Sequence, residues 1–137
     1  MEIQAAVTNE EGAPFTVETV ELEGPQDNEV LVRVVGAGVC HTDMIVRDQM
    51  YPTPLPAVLG HEGSGVVEQV GDNVTHVEPG DRVVLSFDSD QECTSCNAGH
   101  PAYCEDFFAH NFGGARPEDS TSPLSRDGET ISGRFFG

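Results

Sequence analysis

The chain has 137 residues, of which 24 are acidic and 6 basic, so its formal net charge is -18. All six basic residues are arginine, and lysine is absent from the sequence. Such a surface repels nucleic acid and anionic membranes, so we expect neither as a partner. The acidic residues are dispersed along the chain, which favours a halophilic origin because concentrated salt screens their mutual repulsion.

No apolar run approaches the roughly 20 residues that a membrane-spanning helix requires. The residues after Met1 also lack the basic start and apolar core of a signal peptide. We therefore expect a soluble cytoplasmic protein. Its length and its hydrophobic fraction of 37% suit one domain with a modest core.

The first 85 residues predict a β-rich fold, because short apolar or alternating runs are separated by turn residues. The predicted strands cover residues 2–7, 15–22, 29–36, 65–70 and 82–85. Gly71-Asp72-Asn73 closes the fourth strand, and Pro79-Gly80-Asp81 turns into the fifth. Strands of this length and spacing favour a compact barrel-like sheet, so the predicted fold class is mainly β.

One short helix is predicted over residues 44–49, with Thr42 or Asp43 as its cap. It must end before Tyr51, because three alternating prolines follow and proline cannot continue a helix. Residues 105–137 are predicted to be loop-like, and the chain end at Gly137 resembles an interruption.

Two short segments carry residue types that bind metals. Cys40 and His61 offer a thiolate and an imidazole, the ligands that zinc prefers. Asp43 and Glu62 lie beside them in the sequence and could orient a ligand or tune the metal. Each signal alone is weak, because a single cysteine after a strand is usually part of a core.

A third segment contains Cys93, Cys96 and Cys104 in the pattern Cys-x2-Cys-x7-Cys. With no signal peptide, this spacing indicates metal binding rather than disulfides. A redox pair at Cys-x2-Cys is the alternative, and the third cysteine argues against it.

These segments together resemble the zinc-dependent medium-chain alcohol dehydrogenases, over nearly the whole chain from about residue 3. The zinc signature reads Gly60-His61-Glu62-x2-Gly65-x5-Gly71-x2-Val74. The stretches Gly36 to Asp43, Leu55 to Glu62 and Gly99 to Cys104 are most similar to the aryl and benzyl alcohol dehydrogenase branch. The resemblance implies a GroES-like barrel with a short helix and a structural-zinc lobe over about residues 88–105.

The resemblance also implies roles for individual residues. Cys40 and His61 match ligands of the catalytic zinc, and Glu62 matches the carboxylate behind it. Asp43 matches the residue that orients the ligand histidine. Thr42 matches the hydroxyl that passes on the proton of the alcohol, and His41 matches a contact to the pyrophosphate of the cofactor.

In the lobe, the family uses four cysteines, and the resemblance places Asp90 at the first of these positions. Zinc accepts a carboxylate oxygen, so Asp90, Cys93, Cys96 and Cys104 form a reasonable set. His100 is a competing fourth ligand. A degenerate site with three empty thiols is the remaining alternative.

Two departures from the family pattern matter. Ile45 occupies the position where many members carry a second relay histidine, so proton exit must use water or another group; Ile45 is equally consistent with ordinary core. The third catalytic-zinc ligand of the family, a cysteine, lies beyond residue 137.

Aromatic residues could border a substrate pocket. Phe87 matches a position where pocket aromatics occur in the family, and Tyr51 could border the same pocket, although either could be ordinary packing. His76 and His110 are predicted to be surface residues rather than ligands.

The predicted function is that of a dehydrogenase fragment, residues 1–137, whose parent interconverts an alcohol, aromatic or benzylic, and an aldehyde with NAD or NADP. No strand–Gly-x-Gly-x-x-Gly–helix unit is present, so the Rossmann domain is absent and the isolated chain should be inactive. The parent is expected to be a homodimer or homotetramer. The alternatives are a freestanding zinc-binding or interaction module and a polyol or sugar dehydrogenase of the same family.

Overall fold

The computed structural model describes residues 1–133 and 135. Within them the fold is mainly β, which confirms the predicted class. The strands are β1 (Glu2–Thr8), β2 (Thr16–Leu22), β3 (Val30–Gly38), β4 (Ala57–Val58), β5 (Glu62–Val70), β6 (Arg82–Val84), β7 (Leu124–Arg126) and β8 (Glu129–Ile131). The helices are α1 (His41–Arg47), α2 (Thr94–Asn97) and α3 (Phe107–Phe112), with a 3-10 turn at Pro101–Tyr103. No helix in this described part is long and apolar enough to cross a membrane.

The larger sheet has five strands in the order β4-β1-β2-β7-β8. β1 and β2 are antiparallel, with Ile3 opposite Val20. Alternate residues of these strands face the core, where Val7, Val20 and Ile131 are almost fully buried. This alternation is the pattern from which the first two strands were predicted.

The smaller sheet has three antiparallel strands in the order β3-β5-β6. β3 and β5 pair along their whole length, and the last pair joins Gly38 to Glu62. β3 therefore ends two residues before Cys40, and β5 begins one residue after His61. The strand pairing brings the two predicted ligands to the same corner of the sheet.

Glycine at position 65 permits the close approach of β3 to β5. A Cβ atom there would lie 2.5 Å from the carbonyl oxygen of Arg33 and 2.5 Å from Cγ1 of Val32. Because these are backbone and β-branched neighbours that cannot move aside, any side chain at Gly65 would separate the strands that hold the site.

The predicted cap of the helix was wrong. α1 begins at His41, and its cap is Cys40, whose backbone is extended (φ -115°, ψ 178°). The Sγ atom of Cys40 accepts the N–H of Thr42 at 3.2 Å, and Oδ2 of Asp43 accepts the N–H of Cys40 at 2.8 Å. This is a capping box in which a thiol replaces the usual hydroxyl, and it places Thr42 and Asp43 inside the first turn. The helix ends before Tyr51, as predicted.

The predicted loop over residues 105–137 was also wrong. α3 lies in this region, followed by the hairpin of β7 and β8, which is closed by Asp127 and Gly128 at positive φ. An Asp-Gly pair is a strong hairpin signal, but the flanking strands are short and polar, so periodicity did not reveal them. They form because β7 pairs with the edge of β2. The chain end at residues 134, 136 and 137 lies outside the described residues.

Arg116 anchors the segment between α3 and β7 to the segment that connects β2 with β3. Its side chain is 1% exposed and forms a two-bond ion pair with Glu29, at 2.8 and 3.0 Å. It also donates to Glu23 at 3.0 Å and to Thr121 at 3.0 Å. The Glu29 carboxylate is the main cause of the raised pKa of Arg116, so the guanidinium stays charged despite its burial.

Candidate metal centres

Cys40 and His61 form the core of the first candidate centre. The Sγ atom of Cys40 lies 3.1 Å from Nε2 of His61. Both side chains are partly buried, at the corner where β3 leads into α1 and β5 begins. Thiolate and imidazole are the ligand types that zinc prefers, so this pair fits a zinc ion.

Asp43 lies behind the histidine. Its side chain is 5% exposed, and Oδ1 lies 3.4 Å from Nδ1 of His61, on the side of the ring opposite to Cys40. The same carboxylate caps α1 through the N–H of Cys40. A histidine that donates Nδ1–H to a carboxylate presents an unprotonated Nε2 to a metal, so Asp43 is placed to set the tautomer of His61.

Glu62 completes a group of three possible ligands. One ligand atom from each of Cys40, His61 and Glu62 lies within 4.8 Å of the other two. Gly38 faces Glu62 across the strand pair, and a Cβ atom at Gly38 would lie 2.9 Å from that of Glu62. Gly38 therefore leaves the space that the glutamate side chain occupies.

The other residues predicted for this centre lie on α1. His41 is the exposed first residue of the helix, and Thr42 is the half-buried second. Ile45 is half-buried in the same helix. The structure thus brings Cys40, His61, Asp43 and Glu62 together and places His41 and Thr42 beside them in the chain.

The second candidate centre lies in the lobe that α2 and the 3-10 turn form. Asp90, Cys93, Cys96 and Cys104 each offer one ligand atom within 4.8 Å of the other three. Cys93 precedes α2 and Cys96 lies in it, while the buried Cys104 follows the 3-10 turn. Three sulfur atoms and one carboxylate oxygen are an acceptable set for zinc.

His100 is outside this group. Its ring instead packs edge-on against Tyr103, with the ring centroids 6.5 Å apart. The geometry therefore favours Asp90 over His100 as the fourth ligand.

The local hydrogen bonds shift the pKa values in the lobe. The N–H groups of Cys93 and Glu92 hold the pKa of Asp90 well below its usual range. Backbone hydrogen bonds, chiefly from Cys96, lower the pKa of Cys93, whereas desolvation and then the neighbouring thiol of Cys93 raise the pKa of Cys96 to about 12. Backbone N–H groups thus favour an anion at Asp90 and at Cys93, the charged forms that bind metal.

Asn111, which the sequence did not single out, connects the lobe to the rest of the protein. This fully buried amide accepts the N–H of Asp88 at 2.9 Å, and it donates to the carbonyl groups of Asp88 and Phe107 at 2.8 Å each. His110 is adjacent and only 12% exposed, with Nδ1 2.9 Å from Oδ2 of Asp88. The prediction that His110 lies at the surface was therefore wrong, because α3 turns its side chain toward Asp88 at the start of the lobe. As expected, His110 belongs to neither group of possible metal ligands among the described residues.

A continuous series of aromatic rings connects the two residues proposed for a substrate pocket. Phe87 packs against Phe107, with ring centroids 5.7 Å apart, and Tyr51 packs against Phe112 at 5.6 Å. Phe108 joins the two pairs, at 6.1 Å from Phe107 and 5.5 Å from Phe112. Phe87 is half-buried, whereas Tyr51 and Phe108 are exposed.

Comparison with known proteins supports the resemblance found in the sequence. Residues 26–123 match the family described as the alcohol dehydrogenase GroES-like domain. Geraniol dehydrogenase from Castellaniella defragrans is 50% identical over 134 residues, which are 98% of this chain and 36% of that protein. An NDMA-dependent alcohol dehydrogenase from Amycolatopsis methanolica is 42% identical, over 88% of this chain and 32% of that protein.

Solved structures agree with this result. Benzyl alcohol dehydrogenase from Acinetobacter calcoaceticus is 51% identical and superposes with a TM-score of 0.92, over 100% of this chain and 36% of that one. An alcohol dehydrogenase zinc-binding domain protein from Burkholderia ambifaria is 53% identical, with a TM-score of 0.96 over 99% of this chain and 37% of that one. The chain spans about a third of the length of these relatives. This chain belongs to the zinc-dependent medium-chain alcohol dehydrogenase family, and it contains the GroES-like domain of that family.

Proposed function

We propose that this chain is the metal- and substrate-binding part of an alcohol dehydrogenase, which interconverts an alcohol and an aldehyde by hydride transfer to NAD or NADP. The observation that carries the proposal is the contact of Cys40 with Nε2 of His61, together with the position of Asp43 beside Nδ1 of the same ring. In this proposal residues 1–137 form one domain, with the zinc lobe at about residues 88–105, and the dinucleotide is bound by a separate Rossmann domain.

Zinc held by Cys40 and His61 would supply Lewis-acid polarisation of the alcohol oxygen. Asp43 would keep His61 in the tautomer that presents Nε2, and Glu62 would lie behind the metal. Asp90, Cys93, Cys96 and Cys104 would hold a second, structural zinc. A reducing cytoplasm would keep all four thiols available, so a cytoplasmic location is part of the proposal.

The remaining residues of α1 would handle the proton and the cofactor. The hydroxyl of Thr42, two residues after Cys40 at the start of the helix, would take up the proton that the alcohol loses and release its own. Ile45 cannot carry that proton further, so water would take it to solvent. His41 is exposed at the helix start, where its ring could contact the cofactor pyrophosphate.

An aromatic substrate is the finer part of the proposal. The rings of Phe87, Phe107 and Phe108 lead toward Phe112 and Tyr51, and such a surface favours a planar apolar alcohol. The similarity to a benzyl alcohol dehydrogenase supports the same choice.

Exposed valines on the smaller sheet support the presence of a second domain. Val34 is 54% exposed, Val35 65% and Val84 79%. These three side chains lie on β3 and β6, the strands on either side of β5, and apolar surface of this kind is typical of an interface. We propose that a second domain of the full enzyme, or another subunit of the dimer or tetramer that it forms, covers this surface.

A chimera tests the proposal. Residues 1–137 would be joined to the remaining two thirds of the benzyl alcohol dehydrogenase, and oxidation of benzyl alcohol would be followed by the formation of NADH. We expect turnover by the chimera and none by the 137-residue chain alone.

Two threonine variants provide a test of the proton step and its matched control. Thr42→Ala should lower kcat about a hundredfold or more, because it removes the group that accepts the proton. Thr75→Ala, in an exposed loop, should leave kcat unchanged. A chimera that binds zinc and NAD but does not oxidise the alcohol would contradict the proposal and favour a zinc-binding module without catalysis.

A further inference from the structure

We infer that Asp90 uses its two carboxylate oxygens for different purposes: Oδ1 builds the turn that presents Cys93, and Oδ2 binds the metal as a single-oxygen ligand. The inference rests on the proposed function only in taking the lobe to be a zinc site. Asp90 is the one carboxylate in this group of four possible ligands, and the other three are cysteines.

The first purpose follows from hydrogen bonds to Oδ1. This atom accepts the N–H of Glu92 at 2.8 Å and the N–H of Cys93 at 2.9 Å. Gln91, between them and Asp90, has a positive φ of 61°, which turns the chain back toward the carboxylate. Asp90 therefore fixes the turn that leads into α2, because two amides depend on the same oxygen.

The second purpose follows from the position of the carboxylate among the sulfur atoms. A carboxylate oxygen of Asp90 lies within 4.8 Å of all three Sγ atoms. The backbone N–H of Asp90 also donates to Sγ of Cys104 at 3.5 Å, which keeps that thiol beside the carboxylate. Two backbone amides already occupy Oδ1. Oδ2 is consequently the oxygen available to a metal, so binding would use a single oxygen rather than both.

The arrangement has a chemical consequence. A carboxylate oxygen is a harder ligand than a thiolate, so three thiolates and one oxygen hold soft ions less tightly than four thiolates do. The two amide hydrogen bonds offset part of this loss, because they hold the carboxylate in place before the metal arrives. We therefore expect Asp90→Cys to strengthen the binding of Cd²⁺ more than that of Zn²⁺.

Cobalt substitution tests the ligand set directly. The experiment uses the full 137-residue chain with Cys40→Ser, which removes the thiol of the other centre, and titrates it with Co²⁺. The intensity of sulfur-to-cobalt charge transfer should correspond to three thiolates and should rise by about one third in Asp90→Cys, which offers a fourth. An unchanged intensity in a metal-loaded Asp90→Cys chain would overturn the inference.

Asp90→Asn separates the two purposes, because its amide oxygen can still accept both N–H groups but the anionic oxygen is lost. We expect the affinity for Zn²⁺ to fall about tenfold or more, while hydrogen exchange at Glu92 and Cys93 in the metal-free chain stays as slow as before. Asp90→Ala should lose both properties, and His100→Ala should change neither. Unaltered zinc affinity in Asp90→Asn, or a loss of affinity in His100→Ala, would overturn the inference.

The outcomes are independent of catalysis, because no alcohol or dinucleotide is present. An inactive chimera with a cobalt spectrum of three thiolates would contradict the proposed function and leave the role of Asp90 supported. An active chimera whose lobe binds zinc equally well with Asp90→Asn would support the proposed function and contradict the role of Asp90.

Discussion

The Sγ atom of Cys40 and Nε2 of His61 lie 3.1 Å apart, although 21 residues separate them in the chain. Their proximity follows from the strand register, because the pair of Gly38 and Glu62 is the last of the pairs between β3 and β5. Any change that shifts this register would separate the two ligands. The stability of the small sheet and the geometry of the candidate metal site are therefore coupled.

Asp43 is the residue through which this coupling can be measured. Its carboxylate is 5% exposed, caps α1 and lies beside His61. Asp43→Ala should lower the free energy of unfolding by about 1–3 kcal/mol, because a buried acceptor for the N–H of Cys40 is lost. It should also lower the zinc affinity of the site tenfold or more, roughly, because His61 loses its orienting group. Urea denaturation and metal titration measure the two effects.

Asp48→Ala is the matched control for Asp43→Ala. Asp48 follows the same helix, and its side chain is 41% exposed in an ion pair with Arg47. Exposed pairs contribute less than about 1 kcal/mol, so the variant should leave zinc affinity unchanged and stability nearly so. Equal effects of the two substitutions would contradict both roles of Asp43, as the cap of α1 and as the group that orients His61.

Much of the candidate site could be predicted because several short motifs together carry the family resemblance. Cys40, His61 and Glu62 were singled out by residue type, and their roles came from that resemblance. Asp90 and the three cysteines lie within fifteen consecutive residues, and the resemblance placed Asp90 at the first ligand position. Asn111 could not be found in this way. Two of its three hydrogen bonds depend on the folded position of Asp88, 23 residues earlier, and nothing in its own neighbourhood indicates burial. The cap at Cys40 was missed because cysteine is an unusual capping residue.

Arg116→Met should cause a large loss of stability. The substitution keeps an apolar stem but removes the guanidinium from the Glu29 carboxylate, with which it makes two short hydrogen bonds in a buried setting. Breaking a buried ion pair from one side costs about 3 kcal/mol or more, so the midpoint of urea denaturation should fall strongly. Arg33→Met is the control, because Arg33 is 58% exposed in its pair with Glu68 and should contribute less than about 1 kcal/mol. Equal midpoints for the two variants would refute the anchoring role of Arg116.

Removal of metal should affect the lobe and leave the sheets intact. The described lobe buries few side chains, Cys104 and Ser89 among them, so it has little apolar core of its own. Lobes of this kind depend on the metal to fold. After chelation, amide exchange over residues 94–105 should accelerate. The amides of Glu92 and Cys93, which Asp90 holds without metal, should keep their protection, as should β1 and β2 around Val7 and Val20. Uniform exchange across both regions would contradict this separation.

Glu18 should make stability depend on pH in the acid range. Hydrogen bonds from Thr16, then Asn9 and Arg126, lower the pKa of its carboxyl from 4.5 to about 2. A carboxyl whose pKa is lower in the folded state stabilises the protein above the unfolded value. That contribution is lost as the pH falls from about 4.5 toward 2. Glu18→Gln should therefore be less stable than the parent chain at pH 6, and the difference should disappear near pH 2. Glu11→Gln, at an exposed turn, is the control, and a difference that persists at low pH would refute the role of the Glu18 charge.

Salt should stabilise the protein if its acidic surface is an adaptation to concentrated salt. At a net charge of -18 the folded chain repels itself, and the repulsion reaches about 10 Å at 0.1 M salt but only about 3 Å at 1 M. Raising KCl from roughly 0.1 M to 1 M should therefore raise the melting temperature. The double variant Glu10→Gln, Glu11→Gln removes two exposed charges and should melt at a higher temperature than the parent chain in low salt only, because at high salt those charges are already screened. A melting temperature independent of KCl would mean that the acidic residues are spaced widely enough not to repel, and the halophilic interpretation would fail.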